Sequence, residues 1–231
     1  MKETMQKLSR PWGITVSWMA TILVPVVLLF LGIRLLASEF FLELEYNRAS
    51  FPADTYGFTT KERLEYATYC IDYLTSEADI DLLSELRFED GEPVFNGREL
   101  SHMEDVKKVF QPAVNLGFGL TLVFFGFLLM AQRRSWRVMM IAGIRRGGWL
   151  AFGLVVILGL LATAGFMQFF TQFHAIFFEG DTWIFPYSDT LIRLFPMQFW
   201  QDAILFLLVF VGGLGLLLGF LLRPGQKPMA K

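Results

Sequence analysis

The chain has 231 residues, 54% of them hydrophobic and 18% charged, with a formal net charge of −2 at neutral pH. A charge this close to zero gives no basic footprint for nucleic acid, and a single cysteine excludes an intrachain disulfide whatever the redox compartment. The apolar residues are gathered into runs of about twenty with almost no charge, which is the pattern of a multi-pass membrane protein rather than of a soluble core.

In chain order, residues 1–13 form a basic N-terminal segment with Lys2, Lys7 and Arg10. Residues 14–37 make the first predicted transmembrane helix. Its apolar run is longer than a signal-peptide core, and LLA before Ser38 is a poor cleavage site, so it is expected to stay as an anchor. Residues 38–111 form an extracytoplasmic domain, and 112–131 the second span. A basic cytoplasmic loop covers 132–147, the third span 148–168, an extracytoplasmic loop 169–202, the fourth span 203–222 and a tail 223–231. Each span is long enough to cross ~30 Å of hydrocarbon as a helix.

Charge placement sets the expected orientation. The loop between spans two and three carries Arg133, Arg134, Arg137, Arg145 and Arg146 with no acid. The tail adds Arg223, Lys227 and Lys231, and Glu3 is the only carboxylate in all three end and loop pieces. Positive residues concentrate on the cytoplasmic side, so both ends are expected inside and both longer segments outside. The stretch SWRVMMIAGIRRG, apolar with arginines, suits an interfacial segment held by anionic lipid. Gly215 and Gly219 form a G-x-x-x-G step, expected to allow close helix packing.

The outer segment 38–111 is predicted as a small mixed α/β domain. TTKERLEYATYCIDYL opens with Thr59 and Glu62 at capping-box spacing, and Leu64, Ala67, Ile71 and Leu74 then make an apolar stripe. Cys70 falls among these residues and is read as packing, since no base adjoins it. LRFEDGEPVF alternates around Asp90-Gly91, a hairpin signal weakened by Pro93. Leu100, Met103, Val106 and Phe110 then predict a helix running directly into the second span.

That helix holds His102, with Asp105 one turn away and about ten residues, ~15 Å of helix, before Pro112. The second histidine, His174, follows the third span within FTQFHAIFFEGDTWIF, where Phe173, Phe177, Phe178 and Trp183 are the aromatics expected at a membrane border. Both histidines should therefore return to one depth near lipid esters. A zinc site would need a third ligand from Glu99, Asp105 or Asp181, and no metal or other cofactor is expected. Neither G-x-S-x-G nor S-x-x-K occurs, so no serine nucleophile stands out.

DTYGFTTKERLEYATYCIDYL, RELSHMEDVK, FHAIFFEGDTWIF and TLIRLFPMQFWQD, in this order on a four-span frame, resemble the lipoprotein intramolecular transacylase family of bacterial membrane proteins. The resemblance implies an acyltransferase of the bacterial cytoplasmic membrane. Such an enzyme moves the sn-2 acyl chain of a diacylglyceryl-modified N-terminal cysteine onto the α-amino group of that cysteine, leaving a lyso-form lipoprotein. The family's functional histidines in REL-x-HM and FH-x-x-FF fall on His102 and His174. Diacylglyceryl lipoproteins and membrane lipids are the implied partners. Aminolysis of an ester needs an amine proton removed, an oxyanion stabilised and the glycerol oxygen reprotonated, all of which suit histidine. His102 is the expected base, and His174 the expected oxyanion or proton-return group, with the roles exchangeable. Arg98, Glu99, Asp105, Asp181 and Trp183 are the expected orienting or substrate-contacting residues. The reading from another class is a non-catalytic membrane module that binds exported lipoproteins or other envelope partners.

Overall fold

The computed structural model describes residues 2–132 and 136–222, with side chains from residue 12 onward. Arg133, Arg134, Arg223, Lys227 and Lys231 and the side chains of Glu3, Lys2, Lys7 and Arg10 lie outside the described residues.

The described residues form helices α1 (Lys2–Leu36), α2 (Glu39–Tyr46), α3 (Thr60–Thr75), α4 (Asp81–Ser84), α5 (Gly97–Gln132), α6 (Arg137–Ala164), α7 (Phe166–Phe177), α8 (Thr190–Leu194) and α9 (Met197–Leu221). Four helical stretches are long and apolar enough to cross a membrane: Trp12–Leu36, Gly97–Gln132, Arg137–Ala164 and Met197–Leu221. The chain divides into two compact units, one of residues 1–32, 116–160 and 207–231, the other of 33–115 and 161–206.

The first unit is built from the apolar parts of α1, α5, α6 and α9. Val16, Ala20, Leu23, Val24 and Val27 recur at three- and four-residue steps on α1 and pack with Phe124, Trp136, Met140, Ala151 and Val211. Helix α6 meets α9 at backbone contact. A Cβ on Gly148 would lie 2.6 Å from the Gly215 carbonyl oxygen, and one on Gly215 would lie 2.8 Å from that of Gly148. Only glycine permits this approach, which explains the G-x-x-x-G step.

From Arg137 onward the basic stretch is the first part of α6. The Arg146 Nη2 donates to Ser17 Oγ at 2.9 Å, its guanidinium lies 4.4 Å from the Trp18 ring, and Arg145 Nε donates to the Gly219 carbonyl at 3.0 Å. Tertiary acceptors on α1 and α9 claim these arginines. The third long helix consequently begins at Arg137 and stops at Ala164, with the break at Gly165.

The second unit is helical, which corrects the mixed α/β expectation: the described residues contain no strand, and a lone antiparallel bridge joins Arg87 and Pro93. The turn at Asp90-Gly91 does form. Gly91 has φ +88°, Phe88 N–H donates to the Glu92 carbonyl at 2.9 Å, and Val94 N–H to that of Leu86 at 3.1 Å. Pro93 stands at the non-hydrogen-bonded position of this bridge, where a missing N–H costs the ladder nothing, and the pairing stops with the Val94 bond to Leu86.

Helix α3 begins as its sequence dictates, with Thr59 Oγ1 accepting from Glu62 N–H at 3.2 Å and Glu62 Oε2 accepting from Thr59 N–H at 2.7 Å. Its apolar surface is wider than the predicted stripe. Ala67, Leu64 and Ile71 pack with Phe41, Leu42 and Phe199, while Cys70 and Tyr73 pack with Leu83, Val94, Phe95 and Leu194. Cys70 is thus a core residue, and burial pushes its thiol pKa up. Arg48 joins α2 to the start of α9, with Nη1 2.9 Å from Glu45 Oε2 and 3.3 Å from Asp202 Oδ2.

A continuous α5 carries the second unit's functional helix, since Gly97 to Gln132 is one element with Pro112 inside it. Its N-terminus is fixed by Glu99, 1% exposed, whose Oε2 accepts from Asn96 N–H at 2.8 Å and Oε1 from Leu191 N–H at 2.7 Å. Thr190 Oγ1 donates to the Val94 carbonyl at 2.6 Å, and Tyr46 OH to that of Leu194 at 2.8 Å. These bonds pin α8, and hence the far end of the 178–189 loop, beside the start of α5.

Candidate active site

His102 lies in the second turn of α5, and His174 in the last turns of α7, both within the second unit. Helix α7 is amphipathic: Phe173, Ile176 and Phe177 are exposed, whereas His174 is buried. Phe178, immediately after α7, touches both histidines, with ring centroids 5.1 Å from His102 and 5.7 Å from His174. The two imidazoles are close enough for a charge on one to act on the other.

The rest of the enclosure is aromatic. Phe185 lies 5.3 Å from His102, while Phe170 and Trp183 lie 4.1 and 4.7 Å from His174. The 178–189 loop supplies Phe178, Trp183 and Phe185. Arg98 braces that loop, its Nη1 donating to the Ile184 carbonyl at 3.4 Å.

The two rings differ in how their nitrogens are engaged. His174 Nδ1 lies 2.8 Å from the Phe170 carbonyl oxygen. A carbonyl only accepts, so Nδ1 carries the proton and Nε2 keeps its lone pair. Burial pushes the His174 pKa below the ordinary imidazole value, and the hydrogen bond to Phe170 opposes this incompletely. His102 Nδ1 is buried with no hydrogen-bond partner, so its other nitrogen is the one able to serve chemistry. A buried bare lone pair costs less than an orphaned N–H, which favours the tautomer with the proton on Nε2. One histidine thus offers an acceptor and the other a donor.

The predicted carboxylate orienters do not reach these rings. Asp105 Oδ1 is 2.9 Å from Lys108 Nζ, on the exposed side of the helix. The contact along the same helix surface wins over one toward His102 because the ammonium stays hydrated there while the imidazole faces rings. Glu99 is fully engaged by the amides of Asn96 and Leu191, so it staples α5 to α8. Asp181 is exposed and meets the site only through its carbonyl, which accepts from Ile184 N–H at 3.0 Å. Among the described residues no three of His, Cys, Asp or Glu converge as metal ligands. The sequence reading missed Phe170 and Phe185 as site walls, since any border is aromatic-rich. It also missed the capping role of Glu99, although Asn96 and Glu99 stand at capping-box spacing.

The chain has recognisable relatives. The family model described as lipoprotein intramolecular transacylase Lit matches residues 18–200. A protein of Aquifex aeolicus (strain VF5), described as an uncharacterized protein, is 34% identical over 215 residues, covering 92% of this chain and 95% of its own. The in meso structure of the membrane integral lipoprotein intramolecular transacylase Lit from Bacillus cereus shares the fold, with TM-score 0.69, 19% identity and coverage of 91% and 94% of the two chains. A structure of that protein with a histidine-to-arginine mutation gives TM-score 0.73, 17% identity and coverage of 96% of each chain. With four helices among the described residues long and apolar enough to cross a membrane and a family match over most of its length, this chain is a multi-pass membrane protein that belongs to the lipoprotein intramolecular transacylase family.

Proposed function

We propose that the chain is an acyltransferase that moves the sn-2 acyl group of a diacylglyceryl lipoprotein to the α-amino group of the same N-terminal cysteine. The observation that carries the reading is the pair of imidazoles flanking Phe178, one presenting an acceptor and the other a donor within an aromatic enclosure. The amine attacks the ester carbonyl, the carbonyl oxygen gains the negative charge, and the glycerol oxygen leaves with a proton. His174 Nε2 takes the amine proton, its tautomer fixed by Phe170. His102 Nε2–H donates a hydrogen bond to the developing oxyanion, and the proton taken by His174 passes to the glycerol oxygen as its bond to the acyl carbon breaks, so both imidazoles end neutral. This reverses the roles favoured by sequence alone, because the carboxylate expected to make His102 a base is paired elsewhere.

Donor ester and acceptor amine reside in one molecule, so folding the headgroup into a near-attack geometry supplies much of the acceleration without a protein nucleophile. Phe170, Phe178, Trp183 and Phe185 shield that geometry and accommodate the acyl chains. The arginines Arg137, Arg145 and Arg146 favour the cytoplasmic side for the α5–α6 connection, which supports an outer-leaflet position for the histidines.

The test is direct. The purified protein in lipid vesicles is given a synthetic diacylglyceryl cysteinyl peptide, and fragmentation mass spectrometry maps the acyl positions. The reading requires an N-acyl, lyso-glyceryl product that is lost in both His102→Ala and His174→Ala; an unchanged peptide with folded wild-type protein refutes it.

A further inference from the structure

A cavity in the same unit lies outside the histidine enclosure. It has a volume of about 310 Å³ and is lined by Pro52, Asp54, Tyr56, Arg63, Tyr187 and Arg193 among others. Its charge is unbalanced. Asp54 Oδ2 accepts from Arg193 Nε at 3.1 Å and Nη2 at 2.9 Å, which uses the only carboxylate on the cavity wall.

Arg63 is 4% exposed, and among the described residues no carboxylate comes within ion-pairing distance of it. Its Nη1 donates to the Pro52 carbonyl at 2.7 Å, and its guanidinium lies 5.2 Å from the Tyr46 ring and 4.7 Å from that of Phe51. These contacts hold the guanidinium flat but leave its charge without an anion, and Nε is buried with no acceptor at all. A buried cation of this kind is costly unless an anion completes it. One net positive charge therefore faces a cavity large enough for a small oxyanion group.

The depth of the cavity narrows the anion's class. Pro196 lines it and directly precedes Met197, the first residue of a helix long and apolar enough to cross a membrane. The polar Gln198 and Asp202 come before the uninterrupted apolar run from Ala203, so the cavity stands about 10 Å of helix beyond the hydrocarbon. That is the level of the headgroups. Tyr187 and Tyr56, 80% and 53% exposed, rim it as tyrosines rim a bilayer border. The anion always present at that depth is a phosphate ester, and guanidinium groups match its oxygens well.

We propose that the cavity between the 52–56 loop and α8 is a phosphate-binding site, filled by the phosphodiester of an anionic phospholipid or by free phosphate. Arg63 is its principal cation, and Arg193, already neutralised by Asp54, supplies further N–H donors. The site is separate from the transacylation reading, and its test uses no activity.

Calorimetric titration of the full-length protein in maltoside micelles with dihexanoylphosphatidylglycerol tests it. Saturable binding is expected, weakened by about tenfold or more in Arg63→Gln, the loss expected for a charge-assisted bond. Because Arg63→Gln removes a core cation and could unfold the protein, Ala53→Glu is the second variant. It places a carboxylate on the wall while leaving every Arg63 contact intact, and should abolish binding in a protein with unchanged helicity. Competition by inorganic phosphate would identify the phosphate group alone as sufficient, and its failure to compete would assign the site to the lipid; both outcomes support the site. Absence of saturable binding, undiminished affinity in folded Ala53→Glu, or binding of an acidic peptide where neither phosphate binds would overturn it.

Discussion

The imidazole of His174 is held by the carbonyl of Phe170 one turn earlier, with Nδ1 and oxygen 2.8 Å apart. The bond fixes the neutral tautomer, and burial among Phe170, Phe178 and Trp183 keeps the pKa below the ordinary imidazole value of 6.5. If His174 is the base, it is active when neutral. Once the titration of the lipopeptide's own α-amine, near ~8 when free, is divided out, the acidic limb of the kcat/KM profile should then lie below the ordinary value, with that factor of activity lost only as pH falls through the depressed pKa. The same sign governs folding: stability from this burial is complete above the unfolded value and declines as pH drops below it. A limb so corrected that lies above 6.5 in vesicles, measured with the lipopeptide assay, would remove His174 as the base.

Phe178 provides a sharper test of geometry, because it is a wall shared by both histidines. Phe178→Ala opens that wall and frees both rings. Turnover should fall by about tenfold to a hundredfold, the scale of a small misplacement of reacting groups. Phe178→Leu should recover part of the loss, and Ile176→Ala, on the exposed face of α7, should not change kcat. Equal losses in Phe178→Ala and Ile176→Ala would mean that α7 matters only for insertion.

Glu99 and Asp105, both near the start of α5, should respond to substitution in opposite ways. Glu99→Ala leaves the buried amide of Leu191 without an acceptor, at roughly 1–3 kcal/mol, and removes the cap on the part-buried Asn96 N–H. It should lower the thermal midpoint well below that of wild type and reduce activity through displacement of α8. Asp105→Asn breaks an exposed contact with Lys108 and removes a charge that is the weakest influence on His102, so its midpoint should match that of wild type and its pH profile should stay close to it. A displaced acidic limb in Asp105→Asn would restore this carboxylate as the orienter of His102.

Orientation is testable without an assay of function. Reporter fusions ending at Gly91 and Gly180 should report export, whereas one ending at Trp136, after the second long helix, should read cytoplasmic. The reverse pattern would put the histidines at the inner leaflet and exclude an exported substrate.

What was legible in the sequence followed from local rules and from solvent. Long uncharged runs dictate spanning helices, and the Thr59 and Glu62 spacing dictates the start of α3. His102 and His174 were recognisable because no other histidines exist and each stands in a family-like motif. The helical character of residues 38–96 was less legible, since a hairpin turn at Gly91 looks the same whether or not a sheet follows it. The partners of Asp105, Glu99 and Arg146 depend on Lys108, Leu191 and Ser17. The last two are contacts across more than ninety residues of chain, which spacing alone cannot rank.

The close approach of α6 and α9 yields a final prediction, in which two glycines of one helix should respond with opposite signs. At Gly148 an added methyl would meet the Gly215 carbonyl oxygen at 2.6 Å and the Gly219 nitrogen at 2.9 Å, both backbone atoms that cannot rotate away. Gly148→Ala must therefore push the helices apart, at about 1–3 kcal/mol for overpacking. Gly153, only five residues along α6, has no atom within 4 Å of the added position, so Gly153→Ala keeps every contact and gains helix propensity. Thermal unfolding in maltoside should show a lowered midpoint for Gly148→Ala and an equal or higher one for Gly153→Ala. If Gly148→Ala melts with wild type, the α6–α9 contact is looser than the structure has it, and the G-x-x-x-G step at Gly215 and Gly219 loses its packing role.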